Sequence, residues 1–171
     1  MEANWWVIFV AALIPMVLGF IWYNPAVFGK AWMQASGMTD EKIKGGNMPL
    51  IFGISFVFSC MLALVLTSFS IHQLHIQSVF ADPESTKLLA DPNSELSIWM
   101  KGVMDKIGNR SLSFGHGFFH GIIGGIFFSL PILGTNALFE RRSAKYILVN
   151  CGYWAICLAL MCGFICQFFL S

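Results

Sequence analysis

Four stretches of this sequence contain no Asp, Glu, Lys or Arg: Trp5 to Tyr23, Met48 to Ile71, Phe114 to Phe139 and Tyr146 to Leu170. Each is long enough to span a bilayer. At about 1.5 Å of rise per residue, roughly 20 residues cross a hydrocarbon core of about 30 Å, and in lipid a helix pairs its own backbone polar groups. Uninterrupted apolar runs exclude a β-barrel, whose strands alternate in polarity. The sequence therefore predicts an all-α polytopic membrane protein, with four transmembrane helices in two antiparallel hairpins and a single membrane domain over residues 1–171. Composition agrees, since 57% of residues are hydrophobic and 11% are charged.

A net charge of +1 offers no basic stripe to neutralise a phosphate backbone, which excludes a nucleic-acid partner. The first span follows Met-Glu-Ala-Asn without a basic leader or a small-residue cleavage site, so it reads as retained. The third loop, Glu140 to Lys145, is so short that the last two spans form a tight hairpin, and loops one and three must share a side. Those loops carry Lys30, Lys42, Lys44, Arg141, Arg142 and Lys145 in little sequence, whereas the longer second loop carries Lys87, Lys101, Lys106 and Arg110. The positive-inside rule then places loops one and three in the cytoplasm and both termini outside. All five cysteines, Cys60, Cys151, Cys157, Cys162 and Cys166, fall inside spans and read as small apolar packing residues.

Small residues recur at helical spacing in two spans. Ser55, Ser59, Ala63 and Thr67 form one line, and Gly117, Gly121 and Gly125 form another with Gly124 beside it. Such lines let two helices approach closely, within the bundle or between copies of the chain or a membrane-protein partner. Pro15 and Pro131 predict bends. Asn150 and Gln167 are the polar exceptions in the last span and are expected to hydrogen-bond between helices.

The extracytoplasmic loop, residues 72–113, contains Asp82-Pro83 and Asp91-Pro92, read as turns. Its second half repeats Leu96, Trp99, Met100, Val103, Met104 and Ile107 at helical spacing, with Glu95, Lys101, Asp105 and Lys106 opposite. This predicts an amphipathic helix over 95–107 lying in the membrane interface or capping the bundle. In the first loop, Thr39-Asp40-Glu41 starts a short helix that Gly45-Gly46 stops.

The segment Gly19-Phe20-Ile21-Trp22-Tyr23-Asn24-Pro25, followed by Phe28-Gly29-Lys30-Ala31-Trp32-Met33, resembles the signature of a family of small bacterial membrane proteins, the domain of unknown function numbered seventeen sixty-one. The likeness continues in Leu138-Phe139-Glu140-Arg141-Arg142, Asn150-Cys151-Gly152-Tyr153 and Met161-Cys162-Gly163. The resemblance implies a short polytopic protein of the bacterial cytoplasmic (inner) membrane and carries over no activity, cofactor or catalytic residue. Physically, Trp22, Tyr23, Pro25, Phe28, Gly29, Lys30 and Trp32 read as an interfacial anchor: amphipathic rings at headgroup depth, a turn at Pro25 and Gly29, and a cytoplasmic lysine.

All four histidines are expected at one membrane face. His72 and His75 lie where the second span ends, and His116 and His120 where the third begins; spacings of three and four put each pair on one side of its helix. Imidazole is a common ligand of transition metals and of haem iron. Interfacial histidines bonded to water or lipid are the alternative. No intramembrane acid or base exists to relay protons, and no G-x-S-x-G, H-E-x-x-H or P-loop occurs. The leading expectation is a non-catalytic accessory or binding module in the lipid bilayer. A metal- or haem-binding membrane protein and a small-solute channel or transporter are the other two.

Overall fold

The computed structural model describes residues 3–170. It is all-helical, and among the described residues the one extended pairing is an isolated antiparallel bridge between Ala3 and Leu170. Among the described residues, three helices are long and apolar enough to cross a membrane: α4 (Met48–Ser70), the continuous stretch Phe114–Phe139, and α10 (Ala144–Phe168). The apolar α1 (Trp6–Trp22) is shorter, at 17 residues.

The loops hold more helix than the sequence pattern suggests. α2 (Gly29–Ser36) follows the Pro25 turn, and α3 (Asp40–Lys44) begins at a Thr39 cap, as the Thr-Asp-Glu signal predicts. In the second loop lie α5 (His72–Ser78), α6 (Pro83–Ala90) and α7 (Glu95–Ile107). Asp82-Pro83, read as a turn, starts α6 instead. The Asp82 carboxylate accepts from the Glu84 and Ser85 amides, and Pro83 occupies the first helical position, where no N–H is needed. Hydrogen bonding to Ser85 holds the Asp82 carboxyl below its ordinary range. α7 keeps its apolar stripe only partly covered, by α6 and by an edge contact of Trp99 with Phe80, and Trp99 stays exposed.

α10 is the central element and packs against α1, α4 and α8 (Phe114–Gly124). A Cβ on Gly117 would collide with Cys162 and Cys166, one on Gly121 with Leu158 and Ala159, and one on Gly125 with Ala155. The glycine line is therefore the seam on which two backbones meet, running up one helix as it runs down the other. On α4, Ser59, Ala63 and Thr67 are buried, whereas Ser55 is exposed and does not join the line. After Gly124 the helix widens into a π turn over Gly125–Ser129, with the Leu130 amide donating to the Gly125 carbonyl, before α9 (Leu130–Phe139). Pro131 cannot donate, and this wide turn takes up the broken ladder.

The distribution of side chains is that of a lipid-solvated bundle. Phe9, Phe20, Phe58, Val65, Phe119, Phe127 and Leu148 face outward, each more than half exposed, while the interior holds Ala11, Ala63, Cys157, Cys162 and Cys166. All five cysteines are free thiols.

Two ends of the bundle emerge. At one, Trp22 Nε1 donates to the Val149 carbonyl (3.1 Å), Tyr23 Oη donates to Asn150 Oδ1 (3.0 Å), and Arg142 donates to the Ser36 carbonyl (3.0 Å). Loops one and three thus touch each other. At the opposite end the Asn4 amide donates to the Phe169 carbonyl (2.8 Å), and there α4 ends and α8 begins.

Candidate metal centre

The Thr67 hydroxyl donates back to the Leu64 carbonyl (2.6 Å) and the Ser70 hydroxyl to the Leu66 carbonyl (2.7 Å). Such back-bonding competes with the helical ladder near its end. The chain leaves the helix at Ile71, which is extended and fully buried, and restarts as α5 with His72 as its first residue. His72 is thereby detached from α4 and set opposite α8, where Ser113 caps the helix through the His116 amide.

Three of the four histidines converge. The Nε2 atoms of His72 and His116 are 3.0 Å apart, and one nitrogen from each of His72, His116 and His120 lies within 4.8 Å of the other two. Ring centroids are separated by 5.0 Å (His72–His116), 5.1 Å (His72–His120) and 4.6 Å (His116–His120). His116 and His120 are half-buried and His72 is exposed. His75, expected beside His72, is exposed and stands outside this cluster. Both belong to α5, but only His72, at its first position, meets α8; His75 lies one turn further along.

The spacing suits one small cation. Two bonds of about 2.0–2.1 Å at a tetrahedral angle hold their donor nitrogens about 3.4 Å apart, close to the His72–His116 separation. A bare pair at 3.0 Å is a hydrogen bond in which one ring donates and the other accepts. No carboxylate or thiolate belongs to the cluster among the described residues, so an ion there would keep its full charge.

The sequence pattern missed the side chains that hold the two halves of this centre together. Gln73, adjacent to His72 and buried, points its amide nitrogen at the carbonyls of Ile107 (3.3 Å), Gly108 (2.9 Å) and Arg110 (2.8 Å). The Cys166 thiol donates to the Ser111 carbonyl (3.0 Å), and Gln167 Oε1 accepts from the Phe114 amide (3.0 Å). Residues 107–114 lead directly into the helix bearing His116 and His120. Their course is constrained enough that Ser111 takes a left-handed conformation (φ 63°). Gln167 was the only one of the three that carried a signal, as a polar residue in an apolar run.

The segment read as an interfacial anchor packs onto the last long helix. Trp22 and Tyr23 bond to α10, and Gly29 is required because a Cβ there would strike the Tyr23 carbonyl. Pro25, Phe28 and Lys30 are exposed, and Trp32 stacks edge-on to Tyr23. A family model described as a protein of unknown function, DUF1761, matches residues 6–166. The chain belongs to that family. Membership in DUF1761 agrees with the likeness seen in the anchor segment and assigns no activity. No curated protein and no solved structure matches the chain.

Proposed function

We propose that the chain crosses the bacterial cytoplasmic membrane four times, in two antiparallel hairpins, and binds a divalent transition metal through His72, His116 and His120 on the extracytoplasmic face. It acts as a binding module and not as a catalyst. The observation that carries the metal reading is the convergence of three imidazole nitrogens within 4.8 Å from two separate helices. Loop-borne cations gathered at the opposite end support the orientation, and the length of α1, at the lower limit for a tilt-free crossing, is compatible with a fourth span.

A single ion fits better than haem. Iron ligated from opposite faces separates its two axial nitrogens by about 4 Å, twice a bond of about 2.0 Å. The His72 and His116 nitrogens are 3.0 Å apart, which leaves no slot for a macrocycle between them. Imidazole-only coordination favours zinc, cobalt, nickel or copper over magnesium or calcium.

The test is metal analysis of protein purified in detergent and equilibrated with Zn²⁺ or Co²⁺, followed by removal of free ion. One equivalent is expected for the native protein and for His75→Ala. Less than one tenth of an equivalent is expected when His116 and His120 are both changed to Ala. Equal retention by all three proteins, or none by the native one, would overturn the reading.

A further inference from the structure

An apolar groove of about 400 Å³ opens toward lipid between α4, the π turn and α10. Val65, Leu66 and Phe69 form one wall, Gly124 and Phe128 the other, and Trp154 part of its floor. Its origin is in the backbone. The glycine seam draws α8 onto α10 and away from α4, and Gly124, one turn beyond His120, leaves space beside Phe69. One of its lining residues separates it from the histidines: the Phe69 ring stands edge-on to Phe128 at 5.9 Å on one side and to His120 at 5.7 Å on the other.

Charge decides what would fill it. Three neutral imidazoles leave a divalent ion with its whole charge and at least one open coordination position, one aromatic ring away from an apolar slot. We infer that the metal centre and the groove form one site for a long-chain carboxylate, whose anionic oxygens ligate the metal while its hydrocarbon tail lies between α4 and the π turn. This rests on the metal reading above. The tail supplies apolar burial and the headgroup supplies the missing ligand, so neither short carboxylates nor long-chain alcohols satisfy both halves.

Co²⁺ makes the site visible, because its ligand-field spectrum responds to a change of ligand. Co²⁺-loaded protein in a fixed detergent is titrated with laurate, acetate and dodecanol. Laurate should shift the spectrum at a concentration at least 100-fold below that of acetate, and dodecanol should leave it unchanged. Val65→Trp, at a lipid-exposed position, and Gly124→Leu, whose side chain would enter the slot, should each abolish the laurate advantage while preserving Co²⁺ binding and the acetate response. Failure to bind Co²⁺ would sink the metal reading and this inference together. Bound Co²⁺ that responds equally to laurate and acetate, or a laurate advantage that survives both substitutions, would overturn the inference alone. A shift produced by phosphatidic acid and not by laurate would also overturn it.

Discussion

Replacing Gly121 with Ala asks whether the bundle depends on backbone contact between α8 and α10. A Cβ built at Gly121 lies under 3.0 Å from the Leu158 carbonyl oxygen and from the Ala159 amide nitrogen and Cα. All three are main-chain atoms, so no rotamer change relieves the clash and the helices must separate. Separation also loosens the seam at Gly117 and Gly125, which face Cys162 and Ala155 in the same manner. Overpacking of this kind costs about 1–3 kcal/mol, and an immovable obstacle selects the upper end. Ala also gains about 1 kcal/mol over Gly from helix propensity, which would mask part of the loss. Gly53→Ala provides the correction, because Gly53 lies inside α4 with nothing within 4 Å of its Cβ position. The gain is common to both variants, so their difference isolates the clash at about 3 kcal/mol. Reversible unfolding in mixed micelles with increasing dodecyl sulfate measures it. If Gly121→Ala falls within about 0.5 kcal/mol of Gly53→Ala, the range of an uneventful surface change, close packing at the seam does not stabilise the protein.

Gln73→Leu strips its donor from three carbonyls and should cost about 1–3 kcal/mol, with weaker Co²⁺ binding measured by equilibrium dialysis; unchanged affinity would show that the clamp does not position His72. In vesicles, Trp99 in a variant whose other tryptophans are replaced by Phe should be quenched more by lipids brominated near the headgroup than by those brominated at the chain end. The reverse order, or no quenching, would remove α7 from the interface. For orientation, an impermeant maleimide applied to whole cells should label Lys87→Cys and spare Lys42→Cys, in a background whose native cysteines are Ser; labelling confined to Lys42→Cys would invert the topology.

The helical class of the fold was legible because lipid is an undemanding reader of sequence: a charge-free run of sufficient length has one way to satisfy its backbone. The seam was legible too, since Gly117, Gly121 and Gly125 announce close approach wherever a partner exists, and the structure supplies α10 as that partner. Ser55 shows the limit of the same argument. It shares the spacing of Ser59 and Ala63 yet faces outward, because α4 meets its neighbours over only part of its length. Short loop helices were harder to see. Asp82-Pro83 serves equally well as a turn or as a helix start, and the choice depends on whether the following residues find a surface, which α7 provides to α6.

The histidine site divides in the same way. Spacing brings His116 and His120 together on the regular α8, but it does not say that the chain leaves α4 at Ile71 and restarts with His72, and not His75, set against α8. The break falls just after two hydroxyls, of Thr67 and Ser70, that bond back to carbonyls of their own helix, and its effect is long-range. A restart at His72 brings Gln73 within reach of the carbonyls at residues 107, 108 and 110, and that clamp fixes the segment from which α8 departs. The convergence of three imidazoles therefore depends on an interruption in a helix as much as on the histidines themselves. Replacing both Thr67 and Ser70 with Ala, which removes the back-bonding hydroxyls and favours continuation of α4 through Ile71, should weaken Co²⁺ binding in equilibrium dialysis without touching a ligand; unchanged affinity would show that the hydroxyls do not set the break.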